Sequence, residues 1–275
     1  MSEVYLLTGA TGFVGRHILK ALERRGTPCR VVTRPGKEEF LNQFSNIESV
    51  ITTDDLFAER LDLMEAACTN VHTVIHAAWY VDPKDYLQSP RNMDCLRGTL
   101  LFAQACASER VERFVGVGTC FEYDVTGGYL STKTALKPTS MYAAAKAAAF
   151  LSLSQFFRLE QIEFAWARLF YLFGEGEKSQ RLVPYIRSRL QRGERVELTS
   201  GEQVRDFLEV EQAGRMIVEL AAGPASGPAN ICSGTGITVR ALAERIADEY
   251  GRRDLLAFGA RQQNLVDPPY VVGTN

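Results

Sequence analysis

Tyr142 and Lys146 stand four residues apart in the run Tyr-Ala-Ala-Ala-Lys, a spacing that puts both side chains on one face of a helix. A phenol titrates at about 10, too high for proton exchange at neutral pH. An ammonium one turn away, joined by the positive charge of an oxidised nicotinamide, favours phenolate and would make Tyr142 a usable acid and base. Thr119 directly follows the apolar run Arg113 to Gly118. At the carboxyl end of a strand its hydroxyl could meet a substrate carbonyl. The Tyr-x-x-x-Lys spacing alone is a weak signal on an alanine-rich helix. Gly116, Gly118 and the small residues Ala77 and Ala78 strengthen it, because they would leave the same sheet edge open to a cofactor.

A dinucleotide site is written into Val4 to Gly15 (VYLLTGATGFVG). A short apolar run of strand length leads into a glycine turn, and helical spacing begins at once with Ile18, Leu19 and Leu22. Gly9 permits a tight turn, Gly12 lets the backbone approach a pyrophosphate, and Gly15 lets the helix pack on the strand. Thr11, Phe13 and Val14 complete the loop, whose amides would face the phosphates. At the end of the second strand an NAD enzyme wants a carboxylate on the adenosine ribose. Thr33 occupies that position and Arg34 follows. A missing carboxylate and an added guanidinium favour a 2′-phosphate, so NADP(H) is expected, with NAD(H) as the alternative.

These residues need elements to hold them. The expected strands are the run before Gly9, Cys29 to Thr33, Ile47 to Thr52, Val71 to Ala78, Arg113 to Gly118 and Phe164 to Leu169. Helices are expected after Gly15, from Asp54-Asp55-Leu56 to about Cys68, over Asn92 to Ala107 and over Ser140 to Leu159. Such alternation with short connections predicts an α/β fold, a Rossmann-type doubly wound parallel sheet. Beyond Gly174 the pattern loosens into a smaller C-terminal lobe over the sheet's carboxyl edge. The expected division is 1–173, with 208–233, for the dinucleotide-binding domain, and 174–207 with 234–275 for the substrate lobe.

At 275 residues, with 46% apolar and 23% charged residues, the chain is ordinary for a globular protein, and a net charge of −2 gives no case for nucleic acid or an anionic membrane. Of 31 basic residues 24 are arginine, several of them between Arg181 and Arg205, a composition suited to phosphate groups. The six cysteines make no C-x-x-C pair and read as reduced thiols; no metal site is read. Glu3 stands where a signal peptide wants positive charge, and no apolar run reaches membrane-spanning length. A soluble cytoplasmic protein is expected.

Taken together, these motifs resemble the extended short-chain dehydrogenase/reductases of the sugar-nucleotide epimerase/dehydratase group. Thr8 to Gly15 matches the family fingerprint, and Thr119-Cys-Phe-Glu-Tyr123 matches its Ser/Thr-x-x-x-Tyr segment. The resemblance implies a catalytic triad of Thr119, Tyr142 and Lys146, with Lys146 also on the nicotinamide ribose. It places Asp55 and Leu56 at the adenine and His76-Ala77-Ala78 along the cofactor, although a strand histidine such as His76 more often satisfies core polar groups. Arg168 through Gly174, Arg205-Asp206-Phe207 and Val272-Gly273 match substrate-lobe signatures, and Arg205 would hold a nucleotide diphosphate. Tyr171 stands where many relatives have a sugar-binding asparagine, and Cys95 where many have another asparagine. A further strand and helix usually follow the position of Asn275. The helices over Asn92–Ala107 and Ser140–Leu159 would suit the family's four-helix homodimer.

Cys120 and Phe121 replace the Asp-Glu pair of a sugar 4,6-dehydratase, and no histidine follows His76 to act as a second acid. The resemblance then points to an NADPH-dependent reductase of a nucleotide-linked 4-keto-6-deoxyhexose. A UDP-sugar 4-epimerase, with tightly held NAD, would use the same three residues. A catalytically silent NADP(H)-binding sensor would have no need of the intact Thr119, Tyr142 and Lys146.

Overall fold

The computed structural model describes residues 3–262 and 268–274. Residues 263–267 and 275 of the expected substrate lobe therefore lie outside the described residues. The chain opens with β1 (Tyr5–Thr8), α1 (Gly15–Arg25), β2 (Cys29–Thr33), a single-turn α2 (Glu38–Leu41) and β3 (Ile47–Thr52). It continues through α3 (Leu61–Cys68), β4 (Thr73–His76), α4 (Arg91–Ser108) and β5 (Arg113–Thr119). Next come β6 (Tyr129–Leu130), α5 (Met141–Leu159), β7 (Glu163–Leu169) and β8 (Tyr171–Phe173). The remaining elements are α6 (Leu182–Gln191), β9 (Val196–Glu197), β10 (Val204–Glu209), α7 (Val210–Ala222), β11 (Gly227–Ile231), β12 (Gly236–Thr238), α8 (Val239–Glu249), β13 (Leu256–Ala257) and β14 (Tyr270–Gly273).

Seven strands form one parallel sheet in the order β11-β7-β5-β4-β1-β2-β3. Strand order reverses at β1, which pairs with β2 on one side and β4 on the other, and ligands of such sheets bind outside the carboxyl ends at this point. Helices α1 and α7 cover one face, where Ile18, Leu19, Leu22, Ile217 and Val218 meet Leu7, Val31 and Ile75. Helices α3, α4 and α5 cover the other through Met64, Phe102, Leu153 and Phe157 against Leu6, Val74 and Phe114. The central strands are buried on both faces, which is why they read as continuous apolar runs. The fold expected from the sequence is the fold observed.

One expected element is divided. In place of a helix from Asp54 to Cys68 there is a 3₁₀ turn at Leu56–Ala58, an extended pair at Glu59 and Arg60, and then α3. The Asp55 carboxylate caps the turn at the Phe57 N–H (3.0 Å), and Glu59 turns back to accept from the Thr53 hydroxyl at 2.6 Å. These local bonds satisfy groups that helical continuation would have paired.

The second sheet, β12-β10-β14-β6 with β8 beside β10, lies outside the carboxyl edge. Asp206 organises it: its buried carboxylate accepts from Ser233 N–H and Oγ (both 2.7 Å), Gly234 N–H (2.9 Å) and Gly273 N–H (3.2 Å). One side chain thus ties β10, the turn after β11 and β14 together. Helices α6 and α8 pack around Ile186, Leu190, Leu242 and Ile246 in a core of their own.

Candidate active site

Four strands, β1, β2, β4 and β5, and helix α5 deliver the candidate residues to the carboxyl edge. The turn after β1 carries the glycines. Gly9 has φ of 75°, and a Cβ there would stand 2.7 Å from the Ala78 backbone nitrogen. A Cβ on Gly15 would overlap the Gly9 carbonyl, so α1 can follow β1 this closely only without one. At Gly12 the sole neighbour of an added Cβ would be the Gly9 oxygen, 3.2 Å away, and the rest of that face is open. A cradle closed behind and open in front fits a pyrophosphate at a helix N-terminus. Thr11 lies in this loop with its carbonyl accepting from Arg16 (3.4 Å), and Phe13 and Val14 pack partly buried against the core behind it.

Thr33 ends β2 buried, and Arg34 projects beyond it with an exposed side chain. Asp55 is half-buried, with one carboxylate oxygen on Phe57 and the other accepting from Arg91 at 2.9 Å; Leu56 packs beside it. His76 closes β4 fully inside. Its two ring nitrogens meet the hydroxyls of Thr8 (2.9 Å) and Thr99 (3.0 Å), and the Thr8 oxygen also accepts from the Ala78 N–H (3.2 Å). Burial, helped by the Lys146 charge, holds the His76 imidazole down to about 3, so it is neutral and donates at one nitrogen only. His76 therefore fixes the course of Ala77 and Ala78, against which Gly9 packs.

Helix α5 begins behind Ser140, whose hydroxyl accepts from the Ala143 N–H at 3.2 Å. Tyr142 and Lys146 occupy successive turns of its inner face. The Thr119 hydroxyl, at the end of β5, stands near the Tyr142 phenol, and the Tyr86 ring lies edge-on to the Tyr142 ring at 5.1 Å. Lys146 is buried and donates to the Val117 carbonyl at 2.5 Å. Its ammonium also lies 3.7 Å from the centre of the Trp79 ring, which meets Tyr142 edge-on at 6.5 Å. Burial pulls the Lys146 ammonium down to about 7, against the opposing pull of Glu122.

Tyr142 departs from the sequence expectation. Burial, followed by Tyr86, Glu122 and Cys120, pushes its phenol up, and the nearby Thr119 hydroxyl opposes them. Lys146 is not among the groups that shift the phenol; its ammonium lies instead over the Trp79 ring and on the Val117 carbonyl. Among the groups of the chain, Thr119 is what favours phenolate.

Beyond this cluster a cavity of about 370 Å³ opens into the smaller lobe, lined by Tyr171, Glu177, Arg181, Arg205, Phe207 and Arg261 among others. Arg205 is buried, with its guanidinium 5.2 Å from the Tyr171 ring centre, and Tyr171 meets Phe121 edge-on. Arg181 joins the two regions, standing near the Tyr86 phenol and pairing with Glu177 at 3.8 Å. Burial raises the Glu177 carboxyl to about 7. Trp79, Tyr86, Arg181 and Glu177 were not singled out by spacing, since each comes from a loop or a helix start with no periodic signal. Glu122 did have a signal: Thr119-x-x-Glu122 is a capping-box pattern, and the structure shows both of its bonds. Among the described residues, no cluster of His, Cys, Asp and Glu could hold a metal, and no helix is long and apolar enough to cross a membrane.

Known proteins match the chain along most of its length. The chain is 23% identical over 259 residues to a dTDP-6-deoxy-L-talose 4-dehydrogenase (NAD(+)) from Aggregatibacter actinomycetemcomitans, covering 89% of this chain and 90% of the relative. It is 22% identical to CDP-abequose synthase from Salmonella typhimurium over 100% of this chain and 91% of the relative. A UDP-N-acetylglucosamine 4-epimerase from Methanobrevibacter ruminantium M1, solved with UDP-N-acetylmuramic acid, superposes with a TM-score of 0.87 at 23% identity, over 100% of this chain and 90% of that one. The model of the NAD dependent epimerase/dehydratase family matches residues 5–232, from the first strand of the sheet past its last. With the family model covering most of the chain and relatives matching it nearly end to end, the chain belongs to the NAD dependent epimerase/dehydratase family and is an NAD(P)-dependent enzyme of the extended short-chain dehydrogenase/reductase type.

Proposed function

We propose that the protein is an NADPH-dependent reductase of a nucleotide-linked 4-keto-6-deoxyhexose, the class of reaction that serves deoxysugar synthesis. The observation that carries the reading is the convergence of Thr119 at the end of β5 with Tyr142 and Lys146 of α5, set beside a cavity lined by Arg181, Arg205 and Arg261. Arginine forks suit a diphosphate, Phe207 and neighbouring apolar residues suit a nucleotide base, and Tyr171 would meet the sugar. Gly9, Gly12 and Gly15 with the intervening Thr11, Phe13 and Val14 would hold the dinucleotide phosphates. Asp55, Leu56, His76, Ala77 and Ala78 would border the adenine and nicotinamide ends. When bound, the dinucleotide supplies the hydride for carbon 4 of the sugar.

The chain's own groups handle the proton. Tyr142 gives its phenolic proton to the carbonyl oxygen as that oxygen gains charge, and Thr119 hydrogen bonds the same oxygen. Thr119 already accepts from the Phe121 N–H (3.3 Å), which leaves its own proton to donate. Lys146 supplies positive charge and a contact for the nicotinamide ribose. Glu122, close to the missing dehydratase pair, is committed to Trp166 and Arg168 and faces away from the cavity. Proton removal at carbon 5 and loss of water at carbon 6 have no acid and base here.

Support for NADPH comes from Thr33 in place of a carboxylate and from the exposed Arg34. A homodimer through α4 and α5 is supported by exposed apolar side chains on that pair, Met93 (53%), Leu151 (55%) and Leu159 (77%). The testing experiment offers NADPH or NADH with nucleotide-linked 4-keto-6-deoxyhexoses and follows cofactor oxidation together with sugar product. Reduction at carbon 4, with one NADPH consumed per product, is expected. Interconversion of UDP-sugars with no net cofactor consumption would identify a 4-epimerase instead.

A further inference from the structure

Glu122 is fully buried directly behind the Thr119–Tyr142 pair. Its Oε1 accepts from the Thr119 N–H at 2.8 Å and from Trp166 Nε1 at 2.9 Å; its Oε2 accepts from Arg168 Nε at 2.7 Å. Arg168, itself 1% exposed, lies over the rings of Tyr123 and Phe150, both 4.5 Å away, and donates to the Tyr123 hydroxyl at 3.0 Å. Tyr123 in turn donates to Asn230 Oδ1 at 2.8 Å, and Asn230 donates to the carbonyls of Leu130 and Thr274, both at 2.8 Å. Proton-shuttle chemistry alone demands nothing of this network, and an apolar residue could fill the space without burying a charge pair.

We propose that Glu122 is a positioning residue: by fixing the Thr119 backbone and pairing with Arg168, it aims the Thr119 hydroxyl at Tyr142 and sets the charge behind that pair. The inference rests on the reading of Tyr142 as the proton donor. Its geometric part is the reciprocal cap, in which Glu122 accepts from the Thr119 N–H while the Thr119 oxygen accepts from the following backbone. The electrostatic part follows from position. Groups facing Tyr142 are Tyr86 from the loop before α4, Cys120 and Glu122 from the turn after β5, and Thr119 itself; Lys146 is one turn along α5, and Arg168 on β7 stands behind Glu122. Burial pushes the Cys120 thiol up to about 12, so it carries no charge, and Glu122 and Arg168 are the opposed charges behind the phenol.

Opposed charges make a signed prediction. Glu122→Gln leaves Arg168 unopposed and should lower the Tyr142 midpoint. Arg168→Met leaves Glu122 unopposed and should raise it, each by roughly half a pH unit to one unit. The double variant, which removes both buried charges and guards against misfolding of either single one, should fall between them. Tyrosinate absorbance is titrated with saturating NADP+ or NAD+, whichever binds more tightly. Subtracting the Tyr142→Phe form of each protein isolates Tyr142. Opposite shifts support the inference. Shifts of one sign, as loosened packing and entering water would produce, overturn it, and so do unmoved midpoints. No Tyr142 titration in the dinucleotide-bound wild-type protein would refute the assignment of Tyr142 itself and the inference with it, whereas a titration indifferent to both variants would refute the inference alone.

Discussion

At the residue scale the chemistry depends on a few contacts with very different legibility. Tyr142 and Lys146 could be read from a four-residue spacing, and Thr119 from its place after an apolar run. The surroundings that tune them could not, because Trp79 and Tyr86 from the loop between β4 and α4, and Arg168 from β7, reach the site through long-range packing. Hence the sequence suggested a phenol lowered by its lysine and a nicotinamide, whereas within the chain burial raises it and the Lys146 ammonium lies over Trp79. For Tyr142→Phe, turnover should fall by about two to four orders of magnitude while dinucleotide affinity stays within a few fold, since a proton-transfer group is lost and little binding surface. Normal turnover by that variant would refute the assignment. Arg34 makes a second prediction. A charged contact with a 2′-phosphate contributes about 1.5–3 kcal/mol, which is roughly ten- to hundredfold in affinity. Arg34→Ala should weaken NADPH binding by that factor and leave NADH nearly unchanged, measured as dissociation constants at fixed salt. Equal losses for both dinucleotides would reduce Arg34 to a turn residue. The Aggregatibacter relative, whose name specifies NAD(+), makes the comparison informative.

At the scale of elements, the parallel sheet was legible because its central strands are buried on both faces and its helices carry apolar stripes, whereas the half-exposed edge strand β11 was not read. The second sheet was not. Its strands are two to six residues long and are held by Asp206 of β10 reaching two distant segments, a pattern without local periodicity. The break at Glu59 and Arg60 escaped for a related reason, since side-chain caps replaced the helical bonds. The glycine turn separates binding from packing. Gly12→Ala meets only the Gly9 oxygen, so the protein should melt near the wild-type temperature yet bind dinucleotide at least about tenfold more weakly, the added methyl lying where phosphate would approach. Gly15→Ala drives a methyl into the Gly9 carbonyl and should lower the melting temperature even without cofactor. Equal effects of the two substitutions on melting would contradict the cradle as described.

At the scale of the whole molecule, buried titratable groups link the site to stability. His76 is held down to about 3 in the fold against an ordinary 6.5, so below pH 6.5 the unfolded chain takes up a proton that the folded protein does not. That contribution to stability is lost as pH falls from 6.5 towards 3, by at most about 1.4 kcal/mol per pH unit. Glu177 works in the opposite sense: raised to about 7 from 4.5, it stabilises the fold at low pH and loses that contribution as pH rises from 4.5 to 7. The two oppose each other near pH 5 to 6. The advantage in melting temperature of wild type over His76→Gln should therefore shrink on going from pH 7 to pH 5, and a constant difference would show that His76 does not carry the linkage. The central claim concerns the reaction. Its most direct test is purified protein with NADPH and a nucleotide-linked 4-keto-6-deoxyhexose, with the sugar product analysed at carbon 4 and cofactor oxidation followed in parallel. One NADPH oxidised for each 4-hydroxy sugar formed, and neither change with Tyr142→Phe, is the result predicted. Epimerised UDP-sugar with no NADPH consumed, or equal turnover by the Tyr142 variant, would contradict it.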